Sequence, residues 1–294
     1  MAADLFKTDP AFRALVDRAS QRVGRDLEQL CQAGPQRELA RTQYLQPLLV
    51  CVALGYLRHL TGAGLTPAMV LGHSLGEIAA LAASGIVGFE TAVDMAAKRG
   101  ELMEAVAMEA AGGMIAVTGP DREALLRLQA RSFPAAQLVL ANDNAPNQLV
   151  FSGATTVLDQ WAGLVAAEKL GHCRRLAVAG PWHSPLMAPA REQFSLWLET
   201  IEFQAPRVPL VFNVTGSTEN NPQGIRELVA RSLVEPVRWR QAMASLLALP
   251  EVSFFEIGPG RVLSGLARAN GFGEKTRIFN INNLRGLEMA ARVC

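Results

Sequence analysis

The sequence predicts an α/β fold: a mostly parallel sheet covered by helices, with an α+β unit inserted into it. Three observations carry that prediction. A short apolar run, Ala68-Met69-Val70-Leu71, turns through Gly72-His73-Ser74-Leu75-Gly76 directly into the alanine-rich segment 77–83, which is strand, tight turn and helix. Helices and strands alternate again after residue 182, the rhythm of a parallel sheet with both faces covered. Between these two regions the order becomes β-α-β-β-α-β, the split βαβ order of a ferredoxin-like unit. Residues 1–110 and 182–294 are therefore expected to form one large subdomain, and residues 111–181 a small ferredoxin-like one of about 70 residues.

Taken in order, residues 10–30 place Phe12, Leu15, Val16, Val23, Leu27 and Leu30 mostly at helical spacing. Gln46-Pro47 is expected to open a strong helix that presents Leu49, Val52, Ala53, Tyr56, Leu57 and Leu60 on one face and closes near Gly62. A helix over 89–108 follows the Ser74 turn; Gly100 inside it costs about 1 kcal/mol against alanine and so implies close packing or a kink. In the insert, strands are expected at 114–117, 137–140, 148–151 and 174–178, with helices at 121–131 and 156–169. The last part reads as strand 209–214, helices 225–234 and 239–249, strand 253–257, helix 261–270 and strand 277–281.

Composition excludes several function classes. Half the residues are hydrophobic and 19% are charged, the balance of a globular enzyme. A net charge near +1 leaves no electrostatic footprint for nucleic acid. No run approaches the ~20 apolar residues of a membrane-spanning helix, and Asp4, Lys7 and Asp9 do not suit a signal peptide. Cys31, Cys51, Cys173 and Cys294 are scattered without a C-x-x-C pair, so neither a disulfide frame nor a metal site is expected, and a reducing cytoplasm is.

The chemistry is concentrated at Ser74. In a G-x-S-x-G turn the serine backbone is strained, and the glycines remove side chains that would collide between strand and helix. The hydroxyl then stands at a helix N-terminus, where free N–H groups favour a developing oxyanion. Such a serine needs a base, and there are four histidines. His59 sits among apolar helix positions, His73 should point away from Ser74, and His172 lies in a polar connection. His183, where the insert returns to the main subdomain and a cleft is expected, is the best base. No acidic partner for it is evident, so a backbone carbonyl is expected to orient the imidazole. Arg99 is ambiguous on pattern alone, since most lone helix arginines are solvated or paired at the surface.

Gly72-His73-Ser74-Leu75-Gly76-Glu77, Arg99-Gly100-Glu101-Leu102-Met103, Gly113-Met114-Ile115-Ala116-Val117, His183-Ser184-Pro185-Leu186-Met187 and Glu256-Ile257-Gly258-Pro259-Gly260 occur in register across nearly the whole chain. In this order and spacing they resemble the malonyl-CoA:acyl-carrier-protein transacylases of fatty acid synthesis and the related acyltransferases of polyketide synthases. The resemblance implies an α/β-hydrolase-like domain with a ferredoxin-like insert. It also implies transfer of malonyl from malonyl-CoA to the phosphopantetheine thiol of an acyl carrier protein through a seryl ester, with no cofactor and a monomer expected. Carried onto this chain, Ser74 would be the acylated nucleophile, His183 its base and Arg99 the clamp on the malonyl carboxylate. The Leu75 N–H would be an oxyanion donor, Gln46 would line the pocket near the serine and Asn144 would border the cleft. The carbonyl of Arg238, in Glu235-Pro236-Val237-Arg238-Trp239, would orient the histidine.

Two departures stand out. Gly180-Pro181-Trp182 matches neither pattern that polyketide acyltransferases place before the histidine; bulky Trp182 fits a small, unbranched malonyl unit. The family also opens with a strand and a Pro-Gly-Gln-Gly loop that helps form the oxyanion hole, whereas this chain starts at Met1-Ala2-Ala3-Asp4-Leu5-Phe6. A natural start upstream, and a slow or poorly soluble form from Met1, are expected on that ground. Arg174, Arg175, Arg261 and Arg268 are candidates for a basic rim facing an acidic carrier protein. The alternatives are an acyl hydrolase acting on carrier proteins, which Arg99 argues against, and a non-catalytic carrier-docking subunit, which Ser74 and His183 argue against.

Overall fold

The computed structural model describes residues 1–249, 251–273 and 276–293. Helices α1 (Ala3–Thr8), α2 (Pro10–Val23), α3 (Leu27–Ala33) and α4 (Gln36–Leu39) lead into the long helix α5 (Thr42–Gly62). Asp9 caps α2 by accepting the Phe12 N–H at 3.0 Å, and Gly24 ends that helix at φ +65°, so the apolar run 10–30 is two helices and not one. α5 begins at Thr42, ahead of Gln46-Pro47. Its first turn is capped from outside, because Glu104 accepts the Thr42 N–H at 2.9 Å and the Arg41 Nε at 2.8 Å. The single apolar face expected for α5 is also too narrow. Leu48, Val50, Cys51, Val52, Leu54, Tyr56 and Leu57 are all buried, as in a helix enclosed on most sides.

The elbow strand β1 (Val70–Leu71) passes through the Ser74 turn into α6 (Gly76–Ala83), and α7 (Phe89–Glu109) then packs along α5. Gly100 is the point of closest approach: a Cβ there would lie 2.7 Å from the Thr42 carbonyl oxygen and 3.0 Å from Gln43 Cα. Close packing, not a kink, accounts for that glycine. This contact sets Gln46 of α5 beside Arg99 of α7.

The insert follows the expected order: β2 (Gly112–Thr118), α8 (Arg122–Ser132), β3 (Leu138–Ala145), β4 (Gln148–Ala154), α9 (Thr155–Ala167) and β5 (His172–Arg175). All its pairings are antiparallel, in the order β3-β4-β2-β5. The helices cover one face, burying Leu125, Leu128, Leu158 and Trp161 on Ile115, Val117, Leu149 and Phe151 as a core of their own. Strand β3 is tied to the main body twice. Its backbone exchanges hydrogen bonds with Val237, at 2.9 Å from the Asp143 N–H and 2.8 Å to the Ala141 carbonyl. Asp143 also accepts from Arg122, at 2.7 and 2.8 Å, and from Arg240 at 3.2 Å.

The chain returns through a 3-10 turn (Pro185–Met187), α10 (Ala188–Leu198), β6 (Leu210–Val211), α11 (Pro222–Arg231), α12 (Trp239–Leu247), β7 (Ser253–Ile257), α13 (Val262–Ala269), β8 (Arg277–Ile281) and α14 (Leu284–Ala291). β1 pairs with β6, and β7 with β8, both parallel. Buried Glu256 accepts the Leu263 and Ser264 N–H groups at 2.9 and 2.8 Å, which anchors α13 after the Gly258-Pro259-Gly260 turn. Among the described residues no helix is long and apolar enough to cross a membrane.

Two glycines test this packing in opposite directions. Gly100→Ala should overpack the α5–α7 contact and destabilise by about 1–3 kcal/mol. Gly163→Ala, in α9 with open space around it, should stabilise by up to about 1 kcal/mol. Thermal unfolding of both variants checks this; a Gly100→Ala protein as stable as the parent would remove the close-approach argument.

Candidate active site

The site is built where the Ser74 turn meets the return of the insert. A Cβ on Gly72 would fall 2.0 Å from the Gly76 carbonyl carbon, so the end of β1 and the start of α6 approach at a distance only glycine permits. Ser74 itself sits at φ +51°, a left-handed backbone uncommon for a residue with a Cβ. Of the N–H groups beyond it, Gly76 and Glu77 bond back to His73 and Ser74 carbonyls, whereas the Leu75 N–H has no acceptor among the described residues. That leaves it available to an oxyanion at the N-terminus of α6.

His183 is likewise held at φ +56°. Its neighbour Ser184 donates to the Pro181 carbonyl at 2.6 Å, which closes the loop that carries it. The imidazole is buried, with Nε2 2.8 Å from Ser74 Oγ and Nδ1 2.7 Å from the Ser232 carbonyl oxygen. Nδ1 therefore donates to Ser232, and Nε2 accepts from the serine hydroxyl.

The orienting carbonyl is Ser232, not Arg238, and the reason is local. Arg238 precedes α12, and its carbonyl accepts the Ala242 N–H at 3.1 Å in the first turn of that helix. Ser232 follows α11, where the last carbonyls have no intrahelical donor and are free to accept from a side chain. The negative end of the α11 dipole also favours an imidazolium there.

Arg99 lies behind the serine. It is 2% exposed, donates from one terminal nitrogen to Gln46 Oε1 at 2.6 Å and from the other to Ser74 Oγ at 3.2 Å, while its Nε has no partner. No carboxylate contacts this guanidinium among the described residues. Burial lowers its pKa to about 10, partly offset by buried Glu77, so it stays charged at neutral pH. Burial first, then Arg99 and His73, push His183 down to about 3, against the pull of the Ser232 and Glu235 carbonyls. The resting site is a neutral base and an unpaired cation around one hydroxyl.

Gln46, expected to line the pocket near the serine, is connected to it through Arg99, which its amide oxygen holds. Asn144, expected at the border of the cleft, sits beside the nucleophile turn. Its Oδ1 meets His73 Nε2 at 2.7 Å and its Nδ2 donates to Gln148 at 2.8 Å, so it fixes the residue before the nucleophile. Trp182 is buried in the main core, with its indole edge against Gly180, where a Cβ would come within 2.5 Å of the ring. His59 pairs with Asp9 at 2.9 Å and His172 is exposed on β5, away from the serine. Of the basic rim, Arg175 is engaged by Asp159 at 2.6 Å, while Arg261 and Arg268 line an open cavity of about 410 Å³ between α13 and α14.

Sequence reasoning missed Asn213, whose side-chain oxygen accepts the Ser74 N–H at 2.9 Å. The signal was a lone polar residue within the apolar run 209–214. No group of three potential metal ligands occurs among the described residues.

A serine, a carbonyl-oriented histidine and a free helix-terminal N–H are equipped for acyl transfer through a serine ester. Known proteins agree. The sequence profile of the acyl transferase domain matches residues 1–270. The malonyl CoA-acyl carrier protein transacylase of Bacillus subtilis is 35% identical over 269 residues, covering 91% of this chain and 85% of that one. The crystal structure of the malonyl-CoA:acyl carrier protein transacylase from Xanthomonas oryzae superposes with a TM-score of 0.91 at 31% identity, covering 98% of this chain and 92% of that one. A type II polyketide synthase acyl-carrier protein in complex with its malonyl-transacylase gives 0.92 at 31% identity, covering 99% and 94%. With a catalytic constellation in place and the likeness running nearly end to end, the chain belongs to the acyltransferase family of the malonyl-CoA:acyl-carrier-protein transacylases.

Proposed function

We propose that this chain moves a malonyl group from malonyl-CoA to the phosphopantetheine thiol of an acyl carrier protein, by way of an ester on Ser74. The observation that carries the reading is the buried Arg99 guanidinium, 3.2 Å from the Ser74 hydroxyl and without a carboxylate partner. Isolated buried cations are costly, and a planar guanidinium beside the acylated oxygen suits a dicarboxylic acyl group. Buried Trp182, just before the base, fits a small unbranched unit. Unpaired Cys31, Cys51 and Cys173 suit a reducing cytoplasm.

The steps follow from the geometry. As Ser74 Oγ attacks the thioester carbonyl, its proton passes to His183 Nε2, 2.8 Å away. Negative charge on the former carbonyl oxygen falls to the Leu75 N–H and the α6 N-terminus. The intermediate collapses with cleavage of the C–S bond, and the imidazolium returns its proton to the leaving CoA sulfur. The carrier thiol then enters by the reverse route. His183 takes its proton, sulfur attacks the seryl ester, and Ser74 leaves with that proton. The Ser232 carbonyl supports the imidazolium in both halves.

On mixing with malonyl-CoA, the intact mass should rise by one malonyl group in the parent and remain unchanged in Ser74→Ala; labelling that persists in the variant would exclude Ser74 as nucleophile. His183→Ala should slow both half-reactions by ~10²–10⁴-fold, with His172→Ala unaffected. Arg99→Ala should depress malonyl loading and leave acetyl loading equal or better, because only malonyl loses a charge-assisted pair. Equal losses on the two donors would make Arg99 structural. All four arginines of the expected rim are exposed, and Arg261 and Arg268 are the two that line an open cavity. Charge reversal at both should slow transfer to the carrier, and added salt should weaken transfer more than self-acylation. Parallel salt curves for the two steps would discard that docking role.

A further inference from the structure

Two buried residues that the reaction steps do not use meet directly beneath the nucleophile. Glu77, at the start of α6, is 1% exposed, and Asn213, just past β6, is 5% exposed. The Glu77 carboxylate accepts the Asn213 backbone N–H at 2.6 Å and, through the same oxygen, an Asn213 Nδ2 hydrogen. Nδ2 also donates to the Gly72 carbonyl at 2.8 Å, and Oδ1 accepts the Ser74 N–H at 2.9 Å. The Asn213 carbonyl accepts the Arg238 N–H at 2.8 Å, so both backbone groups and both ends of the side-chain amide are engaged.

One amide thus grips the chain on both sides of His73, immediately before the left-handed residue Ser74. Backbone strain of that kind persists only where surrounding contacts over-determine it. The orientation of the amide matters as much as its presence. Turned over, it would point an NH₂ group at the Ser74 N–H and an oxygen at the Gly72 carbonyl. A carboxylate at 77 accepts only from the NH₂ side, so it selects the orientation that grips.

We propose that Glu77 and Asn213 are a positioning pair for the nucleophile. Glu77 sets the orientation of the Asn213 amide, and Asn213 fixes the turn and occupies the Ser74 N–H, which leaves the Leu75 N–H as the elbow's oxyanion donor. The pair touches neither acyl group nor thiol; it acts through the placement of Ser74 Oγ. Burial raises the Glu77 carboxyl to about 7, with the Asn213 hydrogen bonds and then Arg99 opposing; protonated or not, the group keeps an acceptor oxygen for the Asn213 amide.

The inference rests on Ser74 being the nucleophile, so the test reads Ser74 independently of malonyl chemistry. The rate of Ser74 sulfonylation by an arylsulfonyl fluoride is measured by intact mass, beside self-acylation by malonyl-CoA and thermal unfolding. Asn213→Ala and Glu77→Ala should each slow both reactions by ~10–10²-fold, with the KM for malonyl-CoA within about 3-fold of the parent. The double variant should be no more than about 3-fold slower than the slower single, because the two residues act as one unit. Glu77→Gln, which keeps an acceptor oxygen, should recover most of the rate lost in Glu77→Ala. Asn213→Asp is nearly isosteric but cannot donate to Gly72, so it should be slow, and it decides the matter if the alanine variant does not fold. A parent-like rate in Asn213→Asp, or losses that multiply in the double variant, would overturn the proposal. A parent that loads no malonyl, yet whose sulfonylation still depends on Asn213, would overturn the malonyl reading and leave this one standing.

Discussion

Two left-handed backbones facing each other, Ser74 at φ +51° and His183 at φ +56°, are the constraint on which the rest of this structure depends. Neither residue is glycine, and each such conformation costs of order 1–3 kcal/mol, so the surrounding fold must hold both. At Ser74 the restraint comes from the Gly72–Gly76 approach and from Asn213. At His183 it comes from the Ser184–Pro181 turn and the Ser232 carbonyl. The tertiary arrangement converges on these two turns. The α5–α7 contact at Gly100 delivers Gln46 and Arg99, the end of α11 delivers the carbonyl, and β3 fixes His73 through Asn144.

Electrostatics make the resting site asymmetric. Arg99 is a buried cation whose nearest compensation is Glu77, itself enclosed and engaged with Asn213. The same positive charge helps keep His183 neutral. A carboxylate arriving at Arg99 would cancel the repulsion and strengthen the base while the acyl group is in place. On the proposed reading, substrate charge and base strength would be coupled through this one guanidinium.

The small subdomain contributes by where it is fastened. Its sheet has an independent apolar core, but strand β3 is stitched to Val237 and clasped through Asp143 to Arg240. Asn144, on the same strand, reaches His73. The insert therefore takes part in the nucleophile turn through a residue beside His73, and the Val237 pairing and the Arg240 clasp keep that contact in register.

The sequence by itself determined what depends on short range. Helical and alternating periodicities located most elements within a few residues, and the glycine spacing around Ser74 identified the turn because its steric requirement lies within five residues. Pattern and resemblance together brought Ser74, His183, Arg99 and Gln46 into one site, and the structure links them in one hydrogen-bonded series, His183 to Ser74 to Arg99 to Gln46. Only the tertiary structure decided what depends on backbone groups and on distant segments. Every residue carries a carbonyl, so no side-chain pattern distinguishes Ser232 from Arg238; the choice was made by which of the two carbonyls a helix left without a donor. The enclosure of α5, the turning of Asn144 toward His73 and the grip of Asn213 on Ser74 arise in the same way. Each is a contact between segments far apart in the chain, and buried polar groups must find partners wherever the packed chain happens to supply them.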